Sequence, residues 1–271
     1  MNRIFLTISS FGLLLSQCVF AEIIFRNGFE DQPPINLRLN DTGQNGCANV
    51  TIGNLTCPQV GFPRQDGDVG RDALARAGQL TKIGGGEAGF DFSKISNSGQ
   101  MLPASAALGG GPNDWACTRD NVTGLLWEVK VNSASNLRHM GHRYTWYSTD
   151  SSINGGNVGA LSAGDTCGGT LSQCNTQAYV AAVNIEGLCG FNDWRMPDQG
   201  HLFSIVNHQR TTSPIDPIYF VNTAASSYLT GRGDAFRPGL AWCGNNFDNS
   251  GQIGICGKST ANRVRLVRGG Q

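Results

Sequence analysis

Asp193-Trp194-Arg195 sets a carboxylate, an aromatic ring and a guanidinium side by side, a grouping able to hold or polarise a bound group. The same tripeptide reads better as architecture: Trp194 packs into the core, and Asp193 and Arg195 satisfy buried backbone or each other on a tight turn. Ala241-Trp242-Cys243-Gly244-Asn245-Asn246-Phe247-Asp248-Asn249-Ser250-Gly251 combines two flat rings with amides and a carboxylate. That composition serves sugar or protein recognition, rings for stacking and amides for hydroxyls. A disulfide-pinned turn of ordinary loop residues fits it equally, and both readings stay open. Asp248 with neighbouring amides falls short of a calcium site. Arg232-Gly233-Asp234 is a tripeptide that some animal cell-surface receptors recognise; it arises readily by chance in a Gly-rich chain and matters only on an exposed tip.

Four histidines offer little for metal binding. His201 and His208 would share a helix face but lie about 10 Å apart at about 1.5 Å per residue, and His139 and His142 read as a surface pair in a turn. The nucleophile-elbow pattern G-x-S-x-G is absent. The cysteines are better spent on disulfides than on catalysis. No cofactor, no metal and no catalytic residue is assigned.

These groups must be positioned by elements that the sequence pattern marks. A strand is expected over Thr123 to Val131, where Leu125, Trp127 and Val129 alternate with Leu126, Glu128 and Lys130, with one face buried. Tyr144 to Tyr147 reads as a short aromatic strand. A helix is expected over Thr176 to Ile185, capped by Asn175 or Thr176 and ended by Gly187. A second follows Pro197, capped by Asp198 and carrying Leu202, Phe203, Ile205 and Val206; an earlier one is expected over Asp72 to Leu80. Val264 to Arg268 reads as a closing strand. Helices flanked by short strands argue for an α+β fold with a small antiparallel sheet.

Composition bounds the compartment and the partners. Arg3, the apolar run Ile4 to Leu15 and Val19-Phe20-Ala21 read as a cleaved signal peptide over residues 1–21, with the mature chain starting near Glu22. The apolar run is shorter than the roughly 20 residues that a membrane span needs, so no transmembrane anchor is expected. Gln17 before Cys18 argues against a lipid-attachment site. The remaining cysteines suit disulfides in an exported chain. Eight such cysteines allow 105 connectivities; ease of closing short loops favours Cys47 with Cys57, Cys167 with Cys174 and Cys243 with Cys256, with Cys117 and Cys189 left to pair. Twenty basic residues balance 20 acidic ones, so nothing points to nucleic acid. The 37 glycines and the charged share of 15% suit a loop-rich exported domain. Residues 22–66 read as an irregular leader and 67–271 as one domain.

Asp120-Asn121-Val122-Thr123-Gly124-Leu125-Leu126-Trp127-Glu128, then Cys189 through Pro197, then Val264 to Arg268 form an ordered series of blocks. That series resembles the DUF1566 family, also called the Lcl C-terminal domain, from about Cys117 to Arg268. The chain departs from it at Met196-Pro197-Asp198, at His201 and at Ser226 to Thr230. The resemblance implies a fold similar to C-type lectins and formylglycine-generating enzymes, with a small twisted sheet, two helices and long loops. It also implies binding through the loop before the closing strand, which here points to Trp242, Asn245, Asn246, Phe247, Asp248 and Asn249 with Arg263 nearby. The expectation is a secreted or periplasmic non-enzymatic binding module, adhesin-like or glycan-binding, with a glycan or protein ligand at the cell surface or envelope. The alternatives are an envelope structural or assembly protein and an oxidase-like enzyme.

Overall fold

A computed structural model of the protein describes residues 40–210, 212–245 and 251–269. The expected signal peptide and the first part of the leader lie outside the described residues.

The chain is α+β, with strands β1 (Phe92–Ser96), β2 (Met101–Leu102), β3 (Trp115–Asp120), β4 (Leu126–Glu128), β5 (Tyr228–Gly233), β6 (Leu240–Asn245), β7 (Gln252–Gly257) and β8 (Val267–Arg268). One antiparallel sheet runs β2-β1-β3-β4-β8 and a second runs β5-β6-β7. Asp120 makes the β3–β4 hairpin: its carboxylate accepts the amides of Val122 and Thr123 and the Thr123 hydroxyl, and Gly124 turns with φ 77°. The single strand expected over Thr123 to Val131 is therefore a turn followed by the short β4. An earlier strand, β3, pairs with it.

The expectation of one buried face is also corrected, because β4 is buried on both. Ile95, Cys117 and Leu126 face one core, into which helix α2 (Thr176–Glu186) sends Tyr179 and Val183. Phe92, Trp127 and Val267 face the other, with Leu202 of helix α3 (Gln199–Phe203), Ile205, Val206, Ile215, Tyr219 and Phe220. A central strand covered on both sides loses the alternation that marks a half-buried one.

The helices follow their caps. Asn175 accepts the Ala178 amide at 2.9 Å, and Gly187 ends α2 with φ 67°. Asp198 accepts the His201 amide at 2.7 Å to start α3. That helix stops at Phe203 rather than running through Val206, since Ser204 turns its hydroxyl onto the His201 carbonyl at 2.8 Å. Helix α1 covers Gly70–Arg76, not Asp72 to Leu80: the amides of Gln79 and Leu80 both fold back to the Leu74 carbonyl around Gly78, whose φ is 69°. The aromatic segment Tyr144 to Tyr147 makes isolated bridges to Asn262, Asn175 and Gly159 instead of a strand.

Among the described residues four disulfides join Cys47–Cys57, Cys117–Cys189, Cys167–Cys174 and Cys243–Cys256. The irregular segment from residue 40 is hydrogen-bonded to the rest: Asn40 to Asp120 at 2.7 Å, the His208 amide to the Thr42 carbonyl at 2.8 Å, and the Asn45 amide to Gln209 at 3.2 Å. Among the described residues no helix is long and apolar enough to cross a membrane.

Candidate functional site

Trp242 sits in the middle of β6, between Ala241 and Cys243, which are fully buried in the core beneath. Strand alternation sends its indole to the opposite face, where it is partly exposed beside its cross-strand partner Ile255. Leu240 and Ile253 share that face by register and are also partly exposed. Cys243 and Cys256 close a diagonal disulfide on the inner face of the same hairpin. Its β5 neighbour is tied in as well: the Thr230 hydroxyl donates to the Trp242 carbonyl at 2.9 Å, and Trp146 Nε1 donates to the Thr230 carbonyl at 2.9 Å. At the far end, Gly251 lies so close to Val206 that a Cβ there would clash. The hairpin is thus held from beneath and at its loop end, with Trp242 partly exposed on the face opposite Ala241 and Cys243.

Asn245 ends β6, its backbone paired with Gln252. Asn246, Phe247, Asp248 and Asn249 lie outside the described residues. Arg263 is on the other side of β5, bridged to Tyr228, while Tyr228 pairs with Gly244 of β6. Its guanidinium donates to the His142 carbonyl at 3.1 Å, and burial lowers its pKa.

The motif residues are architectural. Trp194 is buried, its indole donating to the Leu188 carbonyl at 3.0 Å and its backbone clasped by both ends of the Asn184 amide. Asp193 pairs with Arg268 at 2.6 Å rather than with Arg195, which donates to the Gly269 carbonyl at 3.0 Å. Trp127 is fully buried in the second core. Beside it, Glu128 is sealed in on the other face. It meets Lys130 at 2.7 Å, takes a hydrogen bond from the Tyr179 hydroxyl and accepts the Leu266 amide at 2.9 Å. Burial of the Lys130 ammonium pulls its pKa down to about 8.

Asp234 of the Arg-Gly-Asp tripeptide is buried, not displayed. Its carboxylate accepts the amides of Phe236 and Arg237 and pairs with the Arg237 guanidinium at 2.6 Å. The histidines also differ from expectation. His142 is buried against the Asn136 carbonyl at 3.1 Å, its ring 4.9 Å from that of His139. His201 Nδ1 lies 2.7 Å from an Asp198 carboxylate oxygen, and His208, beyond the shortened helix, packs on Phe203.

Among the described residues, Asp165, Cys167 and Cys174 place three potential metal ligands together, but both sulfurs are spent in a disulfide. Asp41, Asp66 and Asp72 form a second such group, drawn from segments that carry no recognisable motif.

Comparison with curated proteins and with solved structures returns no match to this chain. The Lcl C-terminal domain matches residues 116–268, which run from β3 to β8 and take in the Trp127-Glu128 turn block, the Trp194 clasp and the Trp242 hairpin. That span is more than half of the chain, and the protein belongs to the Lcl C-terminal domain family.

Proposed function

We propose that the protein is an exported, non-enzymatic binding module of adhesin-like or glycan-binding type. Its contact surface is the outer face of the β6–β7 hairpin with the loop Asn245, Asn246, Phe247, Asp248 and Asn249. The observation that carries this reading is Trp242: a partly exposed indole on a hairpin whose two strands are joined by a disulfide on the opposite, core-facing side. A ring fixed in that way loses little freedom on stacking against a ligand. Arg263 enters through its backbone, which brackets β5 by bonds to the Ser227 carbonyl and the Leu229 amide.

The finer expectations belong to the same proposal. The fold is of the C-type-lectin-like, formylglycine-generating-enzyme-like kind, residues 1–21 are a signal peptide, and the mature chain is secreted or periplasmic. Four disulfides support an oxidising compartment.

The test is binding of the oxidised mature protein to a panel of neutral and sulfated glycans, beside Trp242→Ala. We expect selective, saturable binding that falls about tenfold in the variant with an unchanged unfolding midpoint. A folded Trp242→Ala protein that binds as wild type would remove the site. A second reading, an envelope protein that contacts another protein, is favoured by Leu240, Ile253 and Ile255 beside Trp242, since aliphatic side chains offer nothing to sugar hydroxyls. Its mark is reproducible co-purification of one envelope protein, lost in Trp242→Ala, with no glycan bound.

A further inference from the structure

Three carboxylates outside the family match converge near the start of α1. Asp41, Asp66 and Asp72 each present an oxygen, and these atoms all lie within 4.8 Å of one another. Asp41 is held by Asn40, whose amide is anchored to Asp120, and its Oδ2 accepts the Asp72 amide at 2.8 Å. Asp66 stands in a single helical turn, Asp66–Asp68, and accepts the Thr42 hydroxyl. Asp72 is fully buried; one of its oxygens accepts the Gly89 amide at 2.6 Å, while Oδ2 is buried with no hydrogen-bond partner. A carboxylate oxygen withdrawn from water and given no donor is costly.

The nearby basic side chains turn to backbone carbonyls and form no ion pair with the group. Arg71 donates to the Gly89 carbonyl at 2.8 Å, Arg76 to the carbonyls of Asn45 and Gly67, and Lys82 to those of Gly86 and Ala88 at 2.7 Å each. Among the described residues no ion pair reaches Asp41, Asp66 or Asp72. Three acidic groups are left facing one another, and the orphaned oxygen of the buried one belongs to that group.

We propose that Asp41, Asp66 and Asp72 bind a calcium ion. All donors are oxygens, the hard ligands calcium prefers, and two oxygens at about 2.3–2.6 Å from one ion span up to about 5 Å, which matches the spacing of the group. Thr42 Oγ1 adds a further oxygen at Asp66, and water fills the remaining positions. Burial grades from Asp72, sealed in, through Asp41, partly exposed, to Asp66, exposed, so an ion has a way in and a closed seat. The ion ties residue 41 to residues 66 and 72, and the Thr42 carbonyl passes that anchorage to the His208 amide.

The experiment is calorimetric titration of the chelator-treated, oxidised protein with calcium chloride, with melting curves in EDTA and in about 5 mM calcium, for wild type, Asp72→Asn and the surface variant Asp66→Asn. Wild type should bind one calcium with a Kd on the order of 10⁻⁴ M and gain about 5 °C in Tm. Asp66→Asn, which removes an exposed charge and should fold normally, should bind about tenfold more weakly. Asp72→Asn should lose the calcium response while melting in EDTA at or above the wild-type temperature, because its buried charge is gone. Absence of binding heat and of a Tm rise in wild type overturns the proposal, as does wild-type affinity in either variant. A wild type indifferent to calcium beside a stabilised Asp72→Asn would identify the group as a proton-sharing acid pair instead.

Discussion

Trp127 and Trp194 are both buried to about the same degree, yet their indole nitrogens end differently. Trp194 Nε1 donates to the Leu188 carbonyl, whereas Trp127 Nε1 is buried without a partner. Trp194→Phe should therefore cost about 1 kcal/mol more than Trp127→Phe in urea unfolding, the first substitution stranding a carbonyl and the second removing an unpaired donor; equal losses would contradict the hydrogen-bond assignment. Asp198 carries the pH dependence at this scale. The His201 imidazole beside it holds its carboxyl down to about 2, below the ordinary 3.8. A depressed carboxyl pKa stabilises the fold above the unfolded value, and that contribution is lost as pH falls from about 4 to about 2. Asp198→Asn, which keeps the cap, should lack that part of the acid transition in unfolding midpoints measured across the window. The structural role of Trp194 was legible from its sequence neighbourhood. The partner of Asp193 was not, since adjacent side chains on a turn diverge and Arg268 lies 75 residues on.

Elements were legible where their signals are local. The Asn175 cap and the Gly187 stop of α2 are single-residue decisions made by hydrogen bonds within one helical turn. Gly187→Ala, which forces a side chain into the left-handed region, should destabilise by about 1 kcal/mol, read from the shift in denaturant midpoint. The strands were much less legible. β2 and β8 are two residues long, too short for any periodicity, and β4 lies between two cores, so both of its faces are apolar or sealed. At the β6–β7 hairpin, Cys243→Ser with Cys256→Ser opens a 13-residue loop and should cost about 3 kcal/mol. Amide exchange should speed up over 240–257 more than over α2. Binding through Trp242 should weaken with it, because the indole loses its fixed backing.

For the whole molecule, the Cys117–Cys189 bond spans 72 residues and joins the middle of the five-stranded sheet to the segment that follows α2. Closing so long a loop is worth about 4 kcal/mol, so its double serine variant should lose more stability than the hairpin variant; the reverse order in urea unfolding would contradict the loop-entropy account. Taken alone, the sequence determined the α+β class, the caps of α2 and α3 and the turn residues, and it suggested, without fixing, the cysteine pairs that the structure makes. Each of those rests on short-range physics: hydrogen bonds within a turn, and the ease of closing a short loop, with one pair left over. Tertiary structure alone decided that β4 is buried on both faces, that Asp234 is buried rather than displayed, that Trp242 is partly exposed opposite the core beneath β6 while Arg263 lies across β5, and that three aspartates share one place. Those outcomes depend on partners far away in sequence, such as Leu266 at 138 residues from Glu128 and Asp72 at 31 from Asp41. Periodicity and spacing carry no record of contacts made only when separate segments pack together.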